Sequence, residues 1–254
     1  MKMKVKTLAC LCALAAVPAF GTVAVESANE FGVLKVSCVA KKVIIATPWV
    51  ECGSADGSVK ITNLVMTAGL SNGDAVLVYD TASNKFKSWV ISGGTWSSTP
   101  VVTGEGTVET GDAAHEAIAR GQAFWFIKSD YTSGNYDLYL YGQVAASATA
   151  TSTVAGGTSG SPAYSLLASP SVATNDLNSA GFGFTPNASD QIQIPNPGAP
   201  ATIYTYKNNK WGTSKKTPVG STGEYMMKWT EGCLIPPGRG FWYMSKGGSG
   251  TITW

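Results

Sequence analysis

The feature that most constrains the fold of this chain is an internal repeat, in which three sequence blocks recur in the same order about 120 residues apart. The paired blocks are residues 44–50 with 166–172, 76–86 with 202–211, and 118–126 with 235–243. The alignment places Pro48 on Pro170, Tyr79 on Tyr206, and Trp125 on Trp242. It predicts two related modules that follow one another along the chain.

A change in composition sets the boundaries between the two copies. Residues 145–161 consist almost wholly of Ala, Ser, Thr and Gly, without a charged or aromatic side chain. Such a segment has little apolar surface to bury, so it predicts a flexible linker. The modules are then residues 28–144 and 162–254, and residues 29–39 form a leading strand that only the first module has.

The composition favours short β-strands over helices. The chain has 29 Gly and only 13% charged residues, whereas aromatic and β-branched residues are plentiful. The apolar runs in the first pair of blocks end at Pro, which cannot donate a ladder hydrogen bond and therefore marks strand ends. We predict an all-β fold with little helix, in which each of two tandem related modules is a β-sandwich or a partly open barrel-like unit.

The third pair of blocks predicts a tight turn before a dense aromatic strand. Gly121 follows Arg120, Gly238 follows Pro237, and each Gly is followed within three residues by a Phe-Trp pair. In a type II turn the third residue has a positive φ, which Gly adopts without steric cost. We therefore expect a positive φ at both glycines.

The closing motif of the second module is Pro237-Gly238-Arg239-Gly240-Phe241-Trp242, preceded in each module by an apolar strand ending in Pro and by a Tyr-turn-Phe/Trp hairpin. This order resembles β-repeats in secreted bacterial surface proteins, most of which have no assigned activity. The first module departs from the motif, with Arg120 for the Pro and Ala123 for the second Gly. The resemblance implies an exported β-repeat protein and brings no catalytic residues.

The first 24 residues have the features of an export signal. Lys2, Lys4 and Lys6 precede an apolar run, and the small residues that follow fit cleavage after Gly21 or Ala24. The run is too short to span a bilayer, and no transmembrane segment is expected after cleavage. We expect a protein that is secreted or held at the cell surface of a bacterium.

The charge of the exported chain is close to neutral. The full chain carries 18 Lys and Arg against 16 Asp and Glu, a formal charge of +2, and loss of three signal lysines changes this to −1. A near-neutral chain is not expected to bind nucleic acid or an anionic membrane surface. The expected partners are the protein itself, other surface proteins, or glycans.

Three cysteines lie beyond the signal. Cys38 and Cys52 can form a disulfide that closes a loop of about 15 residues and contributes about 3 kcal/mol, whereas Cys233 has no assigned partner. The chain has no Cys-x-x-Cys spacing and a single His, so neither a zinc site nor a cofactor is expected.

No arrangement of residues indicates a catalytic site. The string from Gly157 to Pro162 is similar to the nucleophile loop of trypsin-like proteases, but Ser159 lies in the predicted linker and only 44 residues after His115. The acidic residues stand mostly in turn-like contexts, without a distinctive pair. We therefore predict a non-catalytic structural or adhesive cell-surface protein.

The alternative is a carbohydrate-binding protein, in which exposed Trp rings stack on sugar rings. The candidates are the Trp residues in polar settings next to turns, namely Trp89, Trp96, Trp211 and Trp229. A row of these side chains on one exposed face would favour this alternative.

Overall fold

The computed structural model describes residues 31–49, 57–61, 66–67, 70–81, 83–97, 108–110, 117–145, 149–196, 199–219 and 224–254. Within these ranges the chain is nearly all β, with no α-helix and with 3-10 conformation at Ile61 and in the three-residue turn Leu177–Ser179. The prediction of an all-β, sandwich-like fold is therefore confirmed. No helix in this part of the chain has the length and apolar character needed to cross a membrane. The predicted export signal lies outside the described residues.

The first half of the chain contributes three sheets. Their strands are β1 (Phe31–Cys38), β2 (Lys42–Ala46), β3 (Val59–Lys60), β4 (Met66–Thr67), β5 (Ala75–Asp80), β6 (Lys85–Ser92), β7 (Thr95–Ser97), β8 (Val108–Thr110), β9 (Ala117–Ile118), β10 (Ala123–Ile127) and β11 (Tyr136–Gln143). The largest sheet has the order β2-β10-β5-β6-β7, with β8 parallel to β6. A three-stranded sheet has the order β1-β11-β4, and β3 pairs with β9.

The second half contributes three sheets with corresponding strand orders. Its strands are β12 (Thr151–Val154), β13 (Ala163–Ala168), β14 (Asn175–Asp176), β15 (Gly181–Phe182), β16 (Gln191–Asn196), β17 (Ala199–Lys207), β18 (Lys210–Val219), β19 (Glu224–Glu231), β20 (Leu234–Ile235), β21 (Gly240–Ser245) and β22 (Gly250–Thr253). The orders are β13-β21-β16-β17-β18-β19, β12-β22-β15 and β14-β20. Each strand thus has the sheet position of the strand eleven ranks earlier, except that β19 pairs with β18 whereas β8 pairs with β6.

Each half encloses its own apolar core between its sheets. In the first core, Leu138 of β11 lies with Phe124 of β10. In the second core, Ile252 of β22 lies with Phe241 of β21 and Trp211 of β18. The core-facing residues alternate along these strands because successive side chains of a strand point to opposite faces of its sheet.

A third apolar core lies between the two halves. Leu77, Tyr79 and Phe86 of the first half meet Leu166 and Trp242 of the second. The Trp242 ring approaches Tyr79 and Phe86 edge-on, with centroid separations of 5.1 and 6.2 Å. The large sheets are therefore covered on both faces where the halves meet, which holds the two halves together.

Both predicted turns have the expected geometry. The φ angles of Gly121 and Gly238 are 86° and 70°. Each turn is closed by a hydrogen bond from the N–H of the residue after the Gly to the carbonyl two residues before it, at 2.9 Å in the first half and 3.3 Å in the second. These features define type II turns, and the expectation of a positive φ is confirmed.

The same two turns join the halves through reciprocal main-chain hydrogen bonds. The N–H of Ala46, at the end of β2, donates to the carbonyl of Gly238 at 3.1 Å. The N–H of Ala168, at the end of β13, donates to the carbonyl of Gly121 at 2.9 Å. Each turn therefore accepts a hydrogen bond from an N–H group at the end of an edge strand of the other half.

The prediction of a flexible linker over residues 145–161 is wrong, because the segment contains β12. Its side chains alternate between exposed and buried, and it pairs with β22. The buried hydroxyl of Ser152 donates to the Gly121 carbonyl at 3.1 Å and accepts from the Trp254 indole at 2.9 Å, so its burial leaves no unpaired polar atom. The second module begins at this strand rather than at residue 162, and β1 has a counterpart in it.

The predicted equivalence of Tyr79 and Tyr206 is also wrong, whereas Pro48 and Pro170, and Trp125 and Trp242, do lie at corresponding positions. Tyr79 belongs to the β5–β6 hairpin, and Tyr206 belongs to the next hairpin along, β17–β18. The true counterpart of that second hairpin is β6–β7, in which Gly-Gly replaces Asn-Asn. Both dipeptides have positive φ, because two-residue hairpin turns need left-handed residues.

Candidate functional site

The four tryptophans considered as a sugar platform do not share an exposed face. Trp89 and Trp211 are fully buried, in the first and second cores. Trp96 packs partly against the first core, and Trp229 is half-buried on β19. The sugar-stacking interpretation is therefore wrong for Trp89 and Trp211, because each side chain faces the apolar core of its own half.

The most distinctive exposed feature is a two-stranded ribbon, residues 213–219 of β18 and 224–230 of β19. The pairing of β17 with β18 covers residues 205–207 and 210–212, whereas the pairing of β18 with β19 continues to Val219. Seven residues of extended chain span about 23 Å. Over residues 199–204 β17 pairs with β16 and no longer with β18, so the ribbon separates from β17, with Trp211 in the second core as its anchor.

The ribbon exposes large apolar side chains on both of its faces. Tyr225 is 56% exposed and Met227 66%, and the two share one face because they are two residues apart. Met226, which is 57% exposed, lies on the opposite face together with the cross-strand pair Lys215 and Lys228. Because these side chains are exposed, they do not pack in a core. A two-stranded ribbon with both faces in water is only marginally stable by itself.

Lysines surround these apolar side chains. Residues 207–231 contain five Lys and two Glu, a formal charge of +3. The Lys216 ammonium lies 4.2 Å from the centroid of the Tyr225 ring, and the Lys207 ammonium lies 5.9 Å from that of Trp229. Such cation–π contacts hold the charges beside the aromatic rings.

The described residues of the first half contain no counterpart of the ribbon. By position in the sheet the counterpart of β18 is β7, which is three residues long, whereas β18 has ten. Sequence reasoning missed the site, although three consecutive apolar residues, Tyr225-Met226-Met227, break the alternation expected of a half-buried strand.

A cleft of about 430 Å³ lies where the two halves meet. Its described lining is mostly apolar and includes Pro48, Trp49, Pro170 and Trp254, together with Arg120, whose pKa is lowered by burial. The lining contains no Asp, Glu, His or Cys among the described residues. An acid–base pair of the kind that hydrolases use is not found in this part of the cleft.

Two fully buried carboxylates at corresponding positions have structural partners. Asp74 precedes β5 and accepts hydrogen bonds from the N–H groups of Ser71 and Ser129, at 2.9 and 2.7 Å. Asp190 precedes β16 and accepts from the N–H of Asn187 at 2.9 Å. In the described part of the chain no group of three or more His, Cys, Asp or Glu residues is arranged to hold a metal ion.

The Ser159 side chain is exposed in a short turn, closed by hydrogen bonds between Thr158 and Ser161. His115, the residue considered as its base, lies outside the described residues.

The Cys38 side chain is buried and its thiol is free, so the disulfide with Cys52 that the spacing allows is not formed in the structure. Cys52 itself lies outside the described residues. Cys233 is likewise a buried free thiol. Burial raises the pKa of both thiols, that of Cys38 to about 11, with the positive charge of Arg239 offsetting part of the effect at Cys38.

We expect Cys38 to react very slowly with a disulfide reagent at pH 8 in folded protein, because only about one thiol in a thousand is then ionised. The folded state also retains this proton above the pKa of about 9 of an unfolded thiol. Its contribution to the free energy of unfolding is therefore complete below pH 9 and is lost between pH 9 and 11. The rate at which Cys38 reacts with the reagent is measured on a C52S/C233S variant, both in the native state and in denaturant. Equal rates in the two conditions would contradict the prediction.

No protein family, curated protein or solved structure matches this chain.

Proposed function

We propose that this chain is a non-catalytic structural or adhesive protein, exported by its N-terminal signal and active at the outer surface of a bacterial cell. The observation that carries the proposal is the ribbon, which separates from β17 and exposes Tyr225, Met226 and Met227. Exposed apolar clusters of this kind are typical of interaction surfaces. An exposed two-stranded ribbon suits attachment better than it suits catalysis, because its described residues enclose no pocket.

The arrangement of the halves supports the same proposal. The core shared by Tyr79, Phe86 and Trp242 and the two reciprocal hydrogen bonds at the turns hold the halves as one body. A body of this kind can transmit force from one end to the other, as an adhesive or structural protein must.

The proposal is tested by binding of fluorescently labelled mature protein, residues 25–254, to intact cells of the bacterium that produces it. We expect saturable binding that unlabelled protein displaces, and reduced binding by a variant with Met226→Ser and Met227→Ser. The matched control is Val172→Ser, which removes a side chain that is also 56% exposed but lies outside the ribbon. Retention no greater than that of serum albumin would contradict the proposal.

A glycan array of the same labelled protein examines the carbohydrate alternative. Trp96 and Trp229 are the only two of the four candidates that retain exposure, and they lie in different halves of the chain. Under our proposal no glycan is bound specifically. Selective glycan binding that Trp96→Ala or Trp229→Ala abolishes would favour the alternative.

A further inference from the structure

We infer that the ribbon docks this protein on an anionic lipid bilayer. The inference rests on the proposed function, because it names the surface to which the adhesive protein attaches. It is carried by three features of the ribbon: apolar side chains on both faces, a concentration of lysines, and separation from β17, which leaves both faces open.

The distribution of apolar side chains favours lipid over a protein surface. Tyr225 and Met227 point to one face of the ribbon, and Met226, equally exposed, points to the other. A protein partner that packs on one face leaves the opposite face in water. The interfacial region of a bilayer surrounds an inserted ribbon, so it can cover both faces at once.

The lysines supply the charge complementarity. Lys215 and Lys228 lie directly opposite each other across the ribbon, and Lys216 lies opposite Met227. Like charges at directly opposed positions of a two-stranded sheet destabilise it. Anionic lipid head groups relieve this repulsion, and each Lys close to such a surface strengthens binding about fivefold.

Positive charge is concentrated around the ribbon and negative charge in the rest of the chain. The near-neutral net charge therefore does not reveal this surface. The exported chain has a formal charge of −1, of which residues 207–231 contribute +3, so the remainder carries −4. An anionic bilayer attracts the ribbon and repels the rest of the molecule. The expected complex is therefore oriented, with the ribbon end towards the lipid.

The test is co-flotation of mature protein with vesicles of phosphatidylcholine alone or mixed with phosphatidylglycerol. We expect binding to the anionic vesicles only, and weaker binding as salt rises because screening shortens the range of the attraction. The K215Q/K216Q/K228Q variant should lose roughly 100-fold in partition coefficient. The M226S/M227S variant should lose at least about tenfold.

Two control variants distinguish a specific effect of the ribbon side chains from a general effect of lower net charge or of lost apolar surface. K41Q/K60Q/K246Q removes the same number of lysines elsewhere, and Val172→Ser removes an equally exposed apolar side chain; both should float like the parent. Circular dichroism melts confirm that all variants fold. Equal loss in the control and ribbon lysine variants, or equal binding to neutral vesicles, overturns the inference.

Comparison with whole cells separates this inference from the proposed function. If the protein binds its producing cells but floats with neither vesicle, its partner is a protein or glycan; the lipid inference is then wrong and the adhesive function stands. If it floats with anionic vesicles through the ribbon lysines but is not retained on cells, lipid docking stands and the adhesive function is wrong.

Discussion

Replacing Gly238 by Val is expected to lower the free energy of unfolding by about 2–5 kcal/mol, because it combines backbone strain with crowding. The φ of 70° at Gly238 is unfavourable for a β-branched residue. A Cβ there would also lie 2.6 Å from Val36 Cγ2 and 2.8 Å from Leu34 Cδ2, both on β1 in the other half. The expected fall in melting temperature is roughly 5–15 °C.

The corresponding change, Gly121→Val, provides a test within the same molecule. Gly121 has a φ of 86°, and a Cβ there would lie 2.5 Å from the Ser152 hydroxyl oxygen. Gly134 has the same φ of 86°, and a Cβ there would meet no atom within 4 Å, so Gly134→Val reports backbone strain alone. Both turn variants should melt well below the Gly134 variant. A turn variant within a degree or two of the parent would show that the turn is permissive.

Replacing Asp190 by Ala is expected to cost about 3–5 kcal/mol, because it leaves buried donors without an acceptor. The fully buried carboxylate accepts from the N–H of Lys246 at 2.7 Å, the N–H of Asn187 at 2.9 Å, and the Tyr243 hydroxyl at 3.0 Å. These bonds tie the turn before β16 to the end of β21. Their loss frees two segments at the same end of the second core.

Asp74→Ala should have an effect of similar size in the first half. Asp74 is fully buried and ties the turn before β5 to the N–H of Ser129, and it also lies 3.0 Å from the Lys128 ammonium. The matched control is Asp137→Ala, which removes a surface carboxylate that is 34% exposed and paired with Lys35, and it should lower the melting temperature much less. Urea titrations of the three variants measure the differences. Equal midpoints for Asp190→Ala and Asp137→Ala would contradict the structural role.

Two carboxylates at corresponding positions give a physical reason for the similarity of the two halves. The sequence alignment captured this similarity only in part. Asp74 and Asp190 each close a turn before the central strand of the large sheet, yet the residues around them share little sequence. The alignment instead matched Tyr79 with Tyr206, since both stand before Asn-Lys and an aromatic residue. Local hairpin chemistry repeats along a β protein, and it therefore identifies a hairpin without fixing which one.

The sequence by itself determined the β character of the chain and the conformation of its tight turns. Both follow from local chemistry: Gly121 and Gly238 supply the positive φ of a type II turn, and the aromatic strands after them are nearly continuous apolar runs, as expected of strands buried on both faces. Only the tertiary structure decided which faces were covered. Trp89 and Trp211 are buried, and Ser152 is satisfied inside a sheet, because strands distant in the chain pack over them. Tyr225 and Met227 remain exposed because β18 pairs with β17 only as far as Gly212, so that β18 and β19 continue as a ribbon without a neighbouring strand on the β18 side. Whether a strand face is buried depends on the surface that packs against it, and the local sequence does not identify that surface.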